Sequence, residues 1–410
     1  MNHLESLIHD LLRYSPKTRS LVVSTYQSIF YFLGSKKEII PAKFTFLPSF
    51  FFGFHDKCPW SANDQFFLSH QIPNSRKMIQ PSNCKIRIGY FEKDLKNFHA
   101  IGETTAWNWQ QGSTLQWIGP TTRCSHHEIK RNTIISIWTD ISTMQTVEIP
   151  RASAAFSPLG DEYISYDFKR FGFGAEGYGY TSLKLNKADL KNITSSRLEI
   201  RSVENDELSN SIEMEQAIEI AYQNKCPDGY FYISHALYSP SGNKISFFLR
   251  HKKSNGGIVT KLFFFDKIAN VLSCSSVFDS SHISWINDDE LLAFCIPPYS
   301  EKQGYFLIDS TDLSVSPYEP LPLNSDGHPY FCTSSSLLVT DTYPDRYRIQ
   351  RLYLSDPEKG LNEIAAIRIP LRYRGSFRCD FHPRLNRSCD KISIDTVFRG
   401  NRGTMIIPIQ

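Results

Sequence analysis

The sequence predicts an all-β chain: a seven-bladed β-propeller over residues 44–410, preceded by a short N-terminal helical extension, residues 1–43. Three observations carry this. Sustained helical periodicity is lost after about residue 44. Short apolar runs then alternate with turn residues, as in AAFSPLGDEYISYDF, ALYSPSGNKISFFLR, ISWINDDELLAFC and PRLNRSCDKISIDTV. Each reads as a hairpin: an aromatic or apolar residue, a small polar turn, then an alternating strand. Aligning the hairpins superposes Phe156, Tyr238, Trp285, Phe331 and Leu385, and from Tyr238 onward neighbours lie 47, 46 and 54 residues apart. A strand repeat of that length is the signature of a four-stranded propeller blade.

In chain order, the N-terminus sets Leu4, Leu7, Ile8, Leu11 and Leu12 on one helical stripe, and Ser24, Thr25, Gln27 and Ser28 interrupt the apolar run that follows. No A-x-A-like cleavage site comes after it. The segment reads as a helix docked on the protein, on another chain or on a membrane surface, rather than as a signal peptide or a span. KCPWSANDQFFLS and LQWIGPTTRCSHHEIKRNTIISIW supply blades one and two. Phe156 and Tyr238 are 82 residues apart, which predicts an insertion in blade three at about 172–228. Blades four to seven follow at regular spacing.

The net charge of +3 over 410 residues gives no reason to expect nucleic acid as a partner. Nine cysteines, an odd number without CxxC pairs, do not read as a disulfide framework and favour a reducing compartment. The expected location is the cytoplasm or the inner-membrane face, with the periplasm as the alternative.

Three residues before the aligned positions stand Ser153, His235, His282, His328 and His382. Four of the chain's twelve histidines therefore share one place in consecutive blades. Equivalent positions of a propeller lie at one height around its axis, so the imidazoles should converge. Such a cluster can bind a metal through neutral ring nitrogens or move protons near neutral pH; the plainer alternative is strand capping. Cys379, three residues before His382 in RCDFHPRL, has a spacing that suits two ligands of one metal. Arg170, Arg346, Arg374 and Arg378 lie near the same strands, and arginine forks match carboxylates, so an acidic ligand is expected. In AWNWQQGSTLQW, flat tryptophan faces mix with amides, a composition that suits sugars as well as core packing. Trp107, Asn108, Gln110, Gln111, Arg346 and Arg378 are the candidate ligand contacts.

Together HDKCPWS, AWNWQQGSTLQW, FKRFGFGAEGYGY, DGHPYF, TDTYPDR and RCDFHPRL, in this order from about residue 50 to the C-terminus, resemble the seven-bladed propeller superfamily of oligogalacturonate and ulvan lyases. They look closest to relatives encoded among bacterial surface-polysaccharide genes. The resemblance implies β-elimination on a uronic-acid-containing glycan: the carboxylate is neutralised, a base takes the C5 proton and an acid protonates the departing O4. It implies His235 of the HxxxSPxG strand as acid or base and Arg170 of FKRF on the carboxylate. It also implies a divalent metal: manganese or calcium in a catalytic role at His282 and His328, or a structural zinc at His328, Cys379 and His382. Two departures stand out. Ala154 replaces a proton-transferring tyrosine of the relatives, and Leu249 replaces a zinc-ligating histidine, with His251 two residues on. Tyr178 or Tyr180 of GYGY, or His55, is then expected to supply the missing group. The alternative function is a non-catalytic glycan-binding or assembly protein of a surface-polysaccharide pathway.

Overall fold

Seven four-stranded antiparallel sheets hold the 28 strands of the computed structural model, which describes residues 16–34, 37–184, 196–223 and 225–409. In blades one to six the four strands follow one another in sequence. The last blade is composite. Arg384–Leu385, Lys391–Phe398 and Asn401–Pro408 are its first three strands, and Thr45–Pro48 from the start of the propeller is its fourth, in the register Thr45↔Ile406 to Pro48↔Gly403. One strand from near each end of the chain thus clasps the ring shut.

The aligned residues sit where each blade's first hairpin closes. Phe156 pairs with Tyr163, Tyr238 with Ile245, Trp285 with Leu291, Phe331 with Leu338 and Leu385 with Ile392. Trp117 pairs with Cys124 in blade two, and Trp60 bridges Phe67 in blade one. Every one of these partners is buried, so the repeat in the sequence is a repeat of core contacts.

A second repeat stands ten residues after the aligned position, on the second strand or directly after it, and holds the loop leading into the next blade. At this place His70 binds Ser113, His127 binds the Ser153 carbonyl, and Tyr166 meets the backbone of His235. Asp341 accepts the Phe381 N–H at 3.2 Å, and Asp395 accepts those of Phe52 and Gly53, the latter at 2.8 Å. Buried polar groups need such partners, so the side chains that satisfy the loops also fix blade order.

Blade three differs from expectation. Arg197–Ser202 and Leu208–Glu213, inside the anticipated insertion, are the blade's own two outer strands. Their charged, partly exposed residues conceal the strand pattern. The inserted chain falls in two pieces, one carrying α2 (Phe168–Gly174) and the other α3 (Met214–Tyr222).

Helix α1 (Pro16–Leu33) occupies part of the expected extension, while the stripe from Leu4 to Leu12 lies outside the described residues. Its Gln27 amide reaches the Pro344 and Asp345 carbonyls, and Val22, Ile29, Phe32 and Leu33 face outward. Among the described residues no helix is long and apolar enough to cross a membrane. Cys332 and Cys389 form a disulfide joining blade six to the first turn of blade seven; the other seven cysteines are free. One bridge among nine cysteines is short of a framework.

Candidate functional site

The four aligned histidines converge on one ring, that of Phe54. Their centroids lie 4.7 Å (His235), 5.1 Å (His382), 5.9 Å (His328) and 6.1 Å (His282) from it. Phe54 is held among the four rings because its loop is tied at both sides. Asp395 takes the amides before it, and Arg384 donates to the Phe54 carbonyl at 3.3 Å. Gly53, at φ 118°, passes so close to the chain at Gln111 that a Cβ there would lie 2.7 Å from its carbonyl carbon. The corresponding places in blades one and two hold Lys57 and Thr114.

Backbone distortion aims two of the imidazoles. His235 has φ +50° within a break of register between Ser234 and Leu237, a bulge that swings its ring out of the strand's alternation. His382 has φ +44°.

Oxygen acceptors fix three rings through Nδ1. His55 meets the Pro329 carbonyl at 2.9 Å, His282 meets Asp326 at 2.9 Å, and His328 meets Asp341 at 2.8 Å. An Nδ1–H donated this way leaves Nε2 as the lone-pair nitrogen of the neutral ring, the orientation found behind metal-ligating histidines. His328, Asp380 and His382 bring their ligand atoms within 4.8 Å of one another. The Nε2 atoms of His328 and His382 are buried and have no hydrogen-bond partner. Two orphaned imidazole nitrogens and a carboxylate fit a divalent transition-metal cation, such as manganese or zinc.

Next to this trio lies a different environment. The His235 ring stands 5.8 Å from that of Tyr178, and Arg378 donates to the Tyr178 hydroxyl at 2.9 Å while its Nε binds Asp380 at 2.6 Å. Burial, followed by the Arg250 guanidinium, holds the His235 pKa well below the ordinary value, so the ring is neutral at pH 7. Burial also lowers His55 and His382. For His328 burial is the largest influence and opposes the charge, but Asp341, Asp380 and Asp326 together outweigh it and raise the pKa. The phenol of Tyr178 is raised by burial and stays protonated.

A cleft of about 290 Å³ opens beside the hub, lined by Tyr343, Arg378 and Asp380 together with residues of blade six, blade seven and α1. The hub itself is nearly shut. His328 is fully buried, and only 7% of His235 and of His282 is exposed.

No protein-family model matches the chain, and no curated protein matches it in sequence. Solved structures do. An oligogalacturonate lyase in complex with manganese superposes with a TM-score of 0.60 over 91% of this chain and 98% of its own, at 10% identity. The oligogalacturonate lyase of Vibrio parahaemolyticus gives 0.59 over 91% and 96%, also at 10% identity. The β-propeller domain of the Trilobed protease from Pyrococcus furiosus gives 0.50 over 84% and 92%, at 10%. What they share with this chain is the propeller fold.

Several candidates from the sequence stand elsewhere. Arg170 is buried in α2, donates to the Phe231 carbonyl at 3.0 Å and stacks on Tyr230, a bracing position; the guanidinium bonded to the Tyr178 hydroxyl is that of Arg378. Tyr180 donates toward His127 Nδ1 at 2.7 Å in the layer behind Thr114, whereas Tyr178 faces His235. Trp107, Asn108 and Gln110 are buried rather than presented to a sugar. The two tryptophans, Trp107 and Trp109, bond the Cys84 and Ile79 carbonyls. Asn108 and Gln110 instead hold the carbonyls of Tyr178 and Arg378, and Gln111 packs beside Gly53 in the same turn. Arg346 lies over Phe30 of α1. Cys379 is buried among apolar residues, burial pushes its thiol up to about 12, and Asp380 takes its place in the candidate metal trio. His251 bonds the Asp228 carbonyl and stacks on Phe231. Phe54, Asp341, Asp380 and Arg250 escaped the sequence reading. The ten-residue offset from Phe331 to Asp341, repeated from Leu385 to Asp395, is the signal that could have found one of them.

Proposed function

We propose that the protein is a polysaccharide lyase that cleaves a uronate-containing glycan by β-elimination, with His235 as base and Tyr178 as acid. The observation that carries this reading is the contact of a neutral imidazole with a protonated phenol, their ring centroids 5.8 Å apart, beside an arginine and a candidate metal trio. His235 removes the C5 proton. The C5–H electrons form the C4–C5 double bond as the C4–O4 bond breaks, and the departing O4 takes the Tyr178 proton. The Arg378 guanidinium, already bonded to the phenol, stabilises the phenolate left behind and is placed to meet the sugar carboxylate. His328, Asp380 and His382 would hold the divalent cation, whose charge makes the proton beside a carboxylate easier to remove. Tyr178 thereby fills the role that Ala154 leaves vacant.

The test is the ultraviolet absorbance of an unsaturated uronate during incubation with acidic polysaccharides, comparing the wild type with His235→Ala. A rise that the substitution abolishes, with unchanged circular dichroism, supports the lyase. Unchanged turnover in His235→Ala removes the proposed base. A second reading, glycan binding without cleavage, is favoured by the closure of the hub beneath Phe54, and binding without any rise in absorbance would select it.

A further inference from the structure

Helix α1 is amphipathic in the inverted sense. Its polar side chains turn toward the propeller: the Gln27 amide donates to the Pro344 and Asp345 carbonyls at 3.4 and 3.5 Å and accepts from Arg348 at 3.2 Å, and Arg374 donates to the Ser28 hydroxyl at 3.3 Å. Phe30 and Tyr31 complete that contact, Phe30 edge-on to Tyr347 with ring centroids 5.7 Å apart and Tyr31 beneath the Arg368 guanidinium at 3.7 Å. Val22, Ile29, Phe32 and Leu33 share the other side, since at 3.6 residues per turn these positions fall within an arc of roughly 100°. Phe32 and Leu33 are each 78% exposed. Water selects the reverse arrangement on a surface helix, so this face is shaped for an apolar medium.

The apolar surface continues past the helix. Ile39 bridges Ala366 on the outer strand of blade six, and both Ile39 and Ile40 are exposed. Ile40 lines a groove with Phe44, Phe398 and Arg399. Arg399 is exposed there, as is Arg372 beside it, which donates to the Gly400 carbonyl at 3.1 Å. Residues 16–43 carry five basic residues against one acidic residue, Glu38, in a chain whose net charge is only +3. Exposed apolar side chains set among cations are the combination that holds a protein on an anionic bilayer, where burial of the one and attraction of the other add. A second copy laid on the same face would instead bring two basic segments together.

We propose that the outward face of α1, with Ile39 and Ile40, docks the protein on the surface of a bilayer containing anionic lipid. The apolar side chains enter the head-group layer and the basic residues around them meet the lipid phosphates. Because Gln27, on the inner side of the same helix, lines the cleft beside the hub, docking holds that cleft close to the membrane.

The experiment is flotation of the full chain with vesicles of phosphatidylcholine alone and of phosphatidylcholine mixed with phosphatidylglycerol, at low and high salt. Wild type is compared with Phe32→Glu/Leu33→Glu, whose exposed positions leave the fold intact; melting temperature checks this, and Phe32→Ser/Leu33→Ser takes its place if the double glutamate unfolds. The wild type should bind the anionic vesicles about tenfold or more tightly than the neutral ones, lose most of that preference at high salt, and lose binding in the double variant. No flotation of the wild type, equal binding to both vesicles, or binding that survives the double variant overturns the proposal. A wild type that sediments as a dimer, beside a monomeric double variant and without vesicle binding, assigns the face to a second copy instead.

Discussion

Asp341 Oδ1 lies 2.8 Å from His328 Nδ1 and 2.8 Å from the His328 backbone nitrogen, and both side chains are fully buried. Its other oxygen accepts from Gln350 and from the amide of Phe381 in the next blade. One carboxylate therefore sets the orientation of a hub imidazole and docks blade seven on blade six.

Asp341→Asn keeps the shape but loses the charge and one acceptor. Manganese affinity should fall by about 10–100-fold, the usual cost of losing a partner behind a metal-ligating histidine. Titration calorimetry checks this, with His382→Ala as the control that removes a ligand outright. Equal affinity in wild type and Asp341→Asn would show that His328 does not reach the ion.

Acid should destabilise the protein from the other side of the ring. Burial lowers His70 and His127 to about 3 and His126 to about 4, from an ordinary value of 6.5. As pH falls below 6.5 the unfolded chain takes up protons at these residues and the folded chain does not, so stability is full above 6.5 and declines below it. Each histidine contributes about 1.4 kcal/mol per pH unit in that range. Urea midpoints between pH 7 and 5 should drop, and His70→Gln should reduce the slope. A flat profile would mean that these rings are protonated in the folded state.

Gly327→Ala should be severely destabilising. A Cβ at this position would stand 1.8 Å from the Asp341 carbonyl oxygen and 3.0 Å from Thr340 Oγ1. Backbone has no rotamer with which to yield, so the cost should reach about 3 kcal/mol or more, the upper end of overpacking. Thermal denaturation would show it, and a variant as stable as wild type would mean that the strand beside Gly327 can shift.

Of the two GYGY phenols, Tyr178 should matter to turnover and Tyr180 to folding. Tyr178→Phe should lower the elimination rate by about 10²–10⁴-fold, the range for a general acid, while Tyr180→Phe leaves His127 Nδ1 without its partner. Initial rates and melting temperatures of both variants separate the roles. A larger rate loss in Tyr180→Phe would reverse the assignment.

The propeller and its ring of histidines were legible because they repeat. Trp285, Phe331 and Leu385 each close a hairpin on a buried residue, and the same selection acts in every blade. Phe54 does not repeat. It stands in an excursion between Phe51 and Trp60, held by Asp395 more than 340 residues away in the chain, a relation that no local pattern displays. WNWQQG misled for another reason. Tryptophans and amides serve equally on a sugar platform and in a buried knot, and only the contacts of Asn108 with Tyr178 and of Gln110 with Arg378 decide between them. Arg170 shows the same limit, since an arginine's partner is settled by α2 folding against Phe231.

The clasp of Thr45–Pro48 on Asn401–Pro408 also bears on how the molecule is made. On a translating ribosome the first of these strands emerges early and must wait, its hydrogen-bonding edge unsatisfied, until almost the whole propeller has been synthesised. Blades one to six can dock in order as they appear, but the ring, and the converged histidines that depend on it, comes into being only at the end of synthesis. A chain stalled before residue 401 would carry His235, His282 and His328 without the hub that gives them a common purpose.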